Sequence, residues 1–213
     1  MDFIYNIIDY ISYTNPIIAV IGLILFIYKK PKFNLVNIIV IFLILGLAID
    51  ISSRYLATLN QNNLICINIF NLVELSCLYL FIKKISLKLN PIYNYFVLAL
   101  IGYNLYELFT INYSNPILYQ SYSKPINSLF LLYLALIQLY KSIKHDNNVS
   151  NRTSLIVFTI FFTLNSFLNL PINFLINYNN YVIFIIWLIN TMNTNFLYSY
   201  FVYLIWKNGK TQM

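Results

Sequence analysis

Residues 34–56 read NLVNIIVIFLILGLAIDISSRYL, and this stretch decides the fold. Between residues 38 and 49 every side chain is apolar apart from one glycine, and the first charge is Asp50. A helix needs about 20 predominantly apolar residues to cross a bilayer. The stretch is therefore predicted to form a membrane-spanning helix.

Similar stretches recur along the whole chain. Only 9% of the 213 residues are charged and 60% are hydrophobic, whereas about a quarter of the residues of a soluble domain are charged. The predicted membrane segments are 8–28, 34–56, 64–82, 91–111, 121–140, 154–177 and 181–206. We expect an all-α fold: residues 1–213 form a single, polytopic membrane domain, a seven-transmembrane-helix bundle with no soluble domain. The longest polar stretch, 141–153, is predicted to be a loop.

Basic residues follow every second segment. Those after the first, third, fifth and seventh segments are Lys29, Lys30, Lys32, Lys83, Lys84, Lys88, Lys141, Lys144, Arg152, Lys207 and Lys210. Basic loops of membrane proteins stay in the cytoplasm. The pattern predicts a multi-pass protein of the bacterial plasma (inner) membrane, with its N-terminus outside and its C-terminus cytoplasmic. Because the charges are divided among several loops, lipid is the expected partner and nucleic acid is not.

Ionisable residues inside the segments lie in the outer part of the predicted bundle. They are Asp50, Arg54, Glu74, Glu107 and Lys124, of which Glu74 is near the midplane. Such residues usually face the bundle interior or a water-filled cavity. Since the inner halves carry no ionisable residue, the pattern predicts an outward-facing polar vestibule that is closed at its cytoplasmic end.

Helical spacing places several polar residues on common faces, for example Asn71 with Glu74 and Asn104 with Glu107. The candidate ligand pocket consists of Asp50, Asn71, Glu74, Asn104, Glu107, Asn127, Asn169 and Asn190. An alternative interpretation is that these groups only join helices, at about 0.6 kcal/mol per hydrogen bond. Asp50 with Arg54, and Glu107 with Lys124, are candidate ion pairs at the membrane interface.

Glu74 has no basic residue near its depth in its own segment. Burial disfavours the charged form of a carboxyl group. We therefore expect Glu74 to be protonated, or to be bound to a cation or a ligand.

Catalytic motifs are missing from the chain. The only histidine, His145, falls in a predicted cytoplasmic loop, and no GxSxG or phosphate-binding loop occurs. These absences count against histidine-based triads and imidazole metal sites in the membrane. We expect no catalytic residue, no metal site and no cofactor, and the chain is not expected to be an enzyme.

Three features carry a resemblance to other proteins: Asp50 late in the second segment, residues 71–74 (NLVE) in the third, and Trp187-x-x-Asn190 through Trp206 in the seventh. With these, the chain resembles a loose group of small seven-helix bacterial membrane proteins, mostly from AT-rich genomes, that has no established activity. The group often carries His at the position of Asn190 and Glu near Asn127. The resemblance implies the seven-helix fold and the loss of two reactive positions.

Three functional hypotheses follow. The first is a receptor-like sensor or partner-binding subunit with an outward-facing pocket for a small ligand and a cytoplasmic protein partner on the basic loops. The second is a small transporter or ion-coupled permease that uses Glu74, since residues 13–17 (YTNPI) resemble 113–117 (YSNPI) and a parallel 3+1+3 repeat is known among transporters. The third is a membrane enzyme acting on lipid or isoprenoid substrates.

Overall fold

The structure is a computed structural model that describes residues 10–31, 34–59, 61, 63–86, 89–111, 121–144, 149–175 and 181–209. The described residues form α-helices and no strand. The helices are α1 (Thr14–Lys29), α2 (Asn34–Thr58), α3 (Leu64–Ile85), α4 (Ile92–Thr110), α5 (Ser123–Lys144), α6 (Val149–Leu175) and α7 (Tyr181–Asn208). The prediction of an all-helical chain is confirmed.

Five stretches within the described residues are long and apolar enough to cross a membrane: Tyr10–Lys29, Leu35–Thr58, Leu64–Ile85, Ser123–Lys144 and Asn151–Pro171. They belong to α1, α2, α3, α5 and α6, which makes the chain compatible with a membrane protein. The other two helices, α4 and α7, are 19 and 28 residues long. Both contain asparagines within their apolar sequences, and their crossing is part of the proposal below.

Several helices extend further than the apolar pattern predicted. α5 continues to Lys144 and α6 begins at Val149, so the prediction of a loop over 141–153 is wrong for most of that stretch. Lys141 and Lys144 lie in the last turn of α5, where cations interact favourably with the helix dipole and long side chains can reach polar surroundings. Residues 8–9 and 176–177 of the predicted segments, His145, and the repeat at 113–117 lie outside the described residues.

The third helix is the centre of the bundle. α3 packs against α2, α4 and α5. In its most apolar stretch of 18 residues, 61% is buried, compared with 11% in the corresponding stretch of α1. Around it, α1 packs against α2 and α7, and α6 packs against α5 and α7. The residues of α3 are therefore the best placed to contact several other helices.

Four buried phenylalanines join four helices in the middle of the bundle. Phe42, Phe81, Phe158 and Phe201 come from α2, α3, α6 and α7, and each is at most 1% exposed. Ring centroids are 4.9 Å apart for Phe81 and Phe158 and 5.5 Å for Phe42 and Phe201, both in edge-to-face geometry. Such pairs are favourable beyond the area that they bury. We call these residues the phenylalanine cluster.

Contacts between helix ends identify the two faces of the bundle. Asn151 Nδ2 donates to the Ile85 carbonyl at 3.2 Å, and a Cβ at Gly209 would touch the side chain of Lys29. This face, at which α1, α3, α5 and α7 end, carries the lysines of those termini and is called the basic end. At the other face, called the opposite end, Asn63 Nδ2 donates to Ser53 Oγ at 2.9 Å.

Candidate functional site

A partly open cavity of about 200 Å³ lies between α1, α2, α3, α5 and α7. The lining residues that matter most for its chemistry are Gly46, Asp50, Cys66, Phe70, Lys124, Trp187 and Tyr198. Apolar and aromatic side chains form most of the wall, and a few polar groups interrupt it. This composition is typical of small-molecule sites.

Most of the cavity lies in the half of the bundle nearer the opposite end, where Cys66 and Lys124 belong to the first turns of α3 and α5. At about 1.5 Å per residue, Trp187 lies roughly 32 Å from the Asn208 end of α7, whereas Tyr198, at roughly 15 Å, lies past the midpoint of the helix and is the lining residue of α7 nearest the basic end. Tyr198 packs against Phe42 with ring centroids 5.6 Å apart, and Phe42 belongs to the phenylalanine cluster. Packed rings therefore close the cavity on the side of the basic end.

Asp50 is neutralised by a neighbour on its own helix. Arg54 Nε donates to Asp50 Oδ2 at 2.8 Å, which is the candidate pair singled out from the sequence. Arg54 Nη2 also donates to the Ser12 carbonyl at 3.0 Å, and the guanidinium lies 4.2 Å from the centre of the Tyr13 ring. Arg54 thus connects the end of α2 to the residues directly before α1. The pair of Asp50 and Arg54 adds no net charge to the cavity.

Glu107 belongs to α4 and does not line the cavity; its carboxylate lies at the start of α5. Its carboxylate accepts hydrogen bonds from the backbone N–H groups of Tyr122 and Ser123, at 2.9 and 3.1 Å, and from Ser121 Oγ at 2.8 Å. A carboxylate is favoured at a helix N-terminus because unpaired N–H groups point towards it. Glu107 of α4 therefore caps α5.

Lys124 is not paired with Glu107, contrary to the expectation from the sequence. Among the described residues the only ion pair is the one between Asp50 and Arg54. Lys124 is half-buried in the first turn of α5 and lines the cavity. Its charge interacts with Glu74 of α3, and α4 separates the two residues in the chain. The physical reason is that backbone donors already occupy the Glu107 carboxylate.

Asn104 and Asn127 bond to each other across α4 and α5. Asn104 Nδ2 donates to Asn127 Oδ1 at 3.2 Å, and Asn127 Nδ2 donates to Asn104 Oδ1 at 3.1 Å. Both side chains are buried. With Glu107 they form a joint between α4 and α5, and none of the three lines the cavity.

Glu74 is buried behind the cavity wall. Its side chain is 7% exposed and accepts a hydrogen bond from Asn165 Nδ2 at 3.3 Å. Asn165 Oδ1 in turn accepts from Asn169 Nδ2 at 2.6 Å, so a chain of three polar side chains links α3 to α6. Tyr198, which lines the cavity, interacts electrostatically with Glu74. Glu74 and Asn169 thus belong to a buried polar chain that does not line the cavity.

Two further candidate residues are buried without full hydrogen bonding. Asn71 is 2% exposed, and neither atom of its amide has a partner among the described residues. The Oδ1 atom of Asn190 is in the same condition. Neither residue lines the cavity. Of the eight candidate pocket residues, the structure places only Asp50 in the cavity wall.

Residues that the sequence did not single out form most of the wall. Phe70, Tyr198 and Cys66 are apolar or aromatic and were indistinguishable from other residues of apolar helices. Gly46, which interrupts the longest apolar run, was the one available signal, since glycine in a helix often allows a close approach. No cluster of three or more metal-binding side chains occurs in the described ranges.

No family model, curated protein or solved structure matches this chain.

Proposed function

We propose that the chain is a seven-crossing protein of the bacterial plasma membrane that binds a small ligand from the extracytoplasmic side. It acts as a receptor-like sensor or as a ligand-binding subunit of a larger complex. The observation that carries this proposal is the position of the cavity, most of which lies in the half of the bundle away from the basic end. The basic end faces the cytoplasm by the positive-inside rule, so the cavity faces outwards.

The route from ligand to partner runs along α7. This helix contributes Trp187, Thr194 and Tyr198 to the cavity and ends at the basic end with Lys207 in its last turn. A ligand that contacts these side chains favours one position of α7 over another, and a packed interface transmits such a change as a discrete shift. The lysines of the basic end supply a cationic surface for an acidic cytoplasmic partner.

The chain's own cysteines provide the test. Cys66 lines the cavity, whereas Cys77 is buried outside its wall. In a Cys77→Ala variant, a membrane-impermeant thiol reagent added to intact cells is expected to modify Cys66. The matched control is Cys66→Ala, in which Cys77 should stay unmodified. Because Cys66 is only 6% exposed, Ser53→Cys on a background without both native cysteines provides a second position in the wall.

Modification of position 66 or 53 from outside, and from outside only, supports the proposal. Modification only in inside-out vesicles would show that the cavity faces the cytoplasm. Failure to modify either position from either side would show that the cavity is closed to solutes, and the sensor proposal would be lost.

A second candidate function is an ion-coupled permease in which Glu74 carries the coupled proton or cation. The observation in its favour is that polar groups are also buried nearer the basic end. Gln138 is 1% exposed and Ser142 is 4% exposed, and no described residue hydrogen-bonds to either side chain. Such groups could hold water on a route through the bundle. Uptake of a solute into proteoliposomes that depends on a proton gradient and disappears in Glu74→Gln would favour this function over the first.

A further inference from the structure

Among the described residues that line the cavity, Lys124 carries the one charge that has no described opposite charge in contact. Asp50 is held by Arg54 at 2.8 Å, and no carboxylate of the described residues lies within salt-bridge distance of the Lys124 ammonium. Glu74 and Lys124 interact electrostatically, but Glu74 is buried, does not line the cavity and accepts a hydrogen bond from Asn165. A half-buried ammonium in a membrane protein is costly unless it is paired or solvated. An anion in the cavity would supply the missing partner.

The rest of the wall favours an apolar body on that anion. Phe70, Trp187 and Tyr198 contribute aromatic rings, and Leu47 and Ile67 contribute aliphatic side chains. Aromatic side chains provide large apolar contact areas to a ligand. A highly polar anion such as free phosphate would leave these surfaces without a complementary contact.

The volume limits the size of the ligand. The cavity measures about 200 Å³. An engineered protein cavity of about 150 Å³ binds benzene, and sites for drug-sized molecules measure roughly 300–1,000 Å³. The cavity therefore accommodates one ring or a short alkyl chain together with a small acidic group.

We propose that the cavity binds a small monocarboxylate with an apolar body of about one ring, and that Lys124 pairs with the carboxylate. This inference rests on the proposed ligand-binding function and adds the chemical class of the ligand. Trp187 and Phe70 lie against the apolar body, and Asp50 stays with Arg54. The site recognises one negative charge and one apolar surface together, so it binds neutral molecules of the same shape more weakly and rejects cationic ones.

The position of the tryptophans makes the test direct. The chain has two, and Trp206 is 57% exposed near the basic end, whereas Trp187 lines the cavity. In the full-length protein carrying Trp206→Phe, fluorescence therefore reports on Trp187 alone. Three probes of nearly equal shape are titrated: benzoate, neutral benzamide and cationic benzylamine. We expect saturable binding of benzoate, at least tenfold tighter than that of benzamide, and no binding of benzylamine.

Three lysine variants assign the preference to the cavity. Lys124→Met should bring benzoate down to the affinity of benzamide, and Lys124→Arg should restore the preference because it restores the charge. Lys144→Met removes an exposed lysine at the basic end and should leave the titration unchanged. The Trp187 emission without probe shows whether each variant has kept its fold.

The outcomes separate this inference from the proposed function. Equal binding of benzoate and benzamide, or unchanged benzoate binding in a folded Lys124→Met variant, would refute the anionic class and leave a ligand-binding cavity. No binding of any probe, with Cys66 or Ser53→Cys still modified from outside, would refute the ligand class alone. No binding and no modification from outside would refute both.

Discussion

Glu107 shows how far a single side chain can depart from what its sequence neighbours suggest. Its distance in sequence from Lys124 predicted an ion pair across a short loop. In the fold, its two carboxylate oxygens accept from Ser121, Tyr122 and Ser123 at the start of α5. A carboxylate that accepts hydrogen bonds from helix N–H groups contributes more to the stability of the fold than one in an interfacial ion pair. As a consequence, Lys124 forms no ion pair with Glu107 and lines the cavity instead.

Replacing Glu107 by glutamine is expected to destabilise the bundle. The variant keeps one oxygen for the N–H groups of Tyr122 and Ser123 but loses the negative charge and one acceptor oxygen, so we expect a loss of about 1–2 kcal/mol, because hydrogen bonds to a charged group are stronger than those to a neutral one. Thermal unfolding of the purified protein in detergent measures it. The control is Asp50→Asn, which should cost less than about 1 kcal/mol because that ion pair is partly exposed and lies within one helix. Equal effects of the two variants would mean that Glu107 does not cap α5.

At the scale of helices, Gly46 sets how closely α2 approaches α7. A Cβ at this position would overlap the hydroxyl oxygen of Tyr198 and would lie 3.4 Å from Tyr198 Cζ. Gly46 and Tyr198 both line the cavity, so this contact also shapes its floor. Glycine at position 46 is therefore required by its neighbour on α7 and not by its own backbone conformation, which is helical.

Gly46→Ala is expected to cost about 1–3 kcal/mol, as overpacking of a close-packed interior does. The second change Tyr198→Phe removes the colliding oxygen and should restore most of the loss in the double variant. Unfolding measurements on the two single variants and the double variant give the coupling directly. Gly102→Ala is the matched control, because no atom lies within 4 Å of its added Cβ. A loss of stability at position 102 comparable to that at position 46 would contradict this account.

At the scale of the whole molecule, the separation of charge predicts the orientation of the bundle in the membrane. Alkaline phosphatase is active only outside the cytoplasm, so its fusions report the location of each connection. We expect activity for fusions after residues 61 and 111, and none after residues 86, 144 and 209. Green fluorescent protein fused after residue 209 should fluoresce in the cytoplasm. If α4 did not cross, the fusions after residues 111, 144 and 209 would all give the reverse result.

The sequence alone determined the class of fold and most helix positions. Continuous apolar runs of membrane-spanning length predict helices because a helix satisfies all its backbone hydrogen bonds within one segment, as the bilayer core requires. The predicted start of the helix at residue 34 coincides with that of α2, and 64 with that of α3. At the basic end the predicted helices stopped too early: the fifth was predicted to end at residue 140, whereas α5 ends at Lys144. A helix can continue past its apolar part there because the long lysine side chains reach polar surroundings.

The tertiary structure alone decided the candidate site. Helical spacing showed which residues share a face, such as Asn71 with Glu74, but not which face meets which neighbour. Asn104 and Asn127 hydrogen-bond to each other and connect α4 to α5. Lys124 and Trp187, which are far apart in the chain, line the same cavity. Side-chain pairing between helices depends on how the helices rotate and pack, and packing depends on close contacts such as that of Gly46 with Tyr198. Such contacts between distant segments leave no periodic pattern in the sequence.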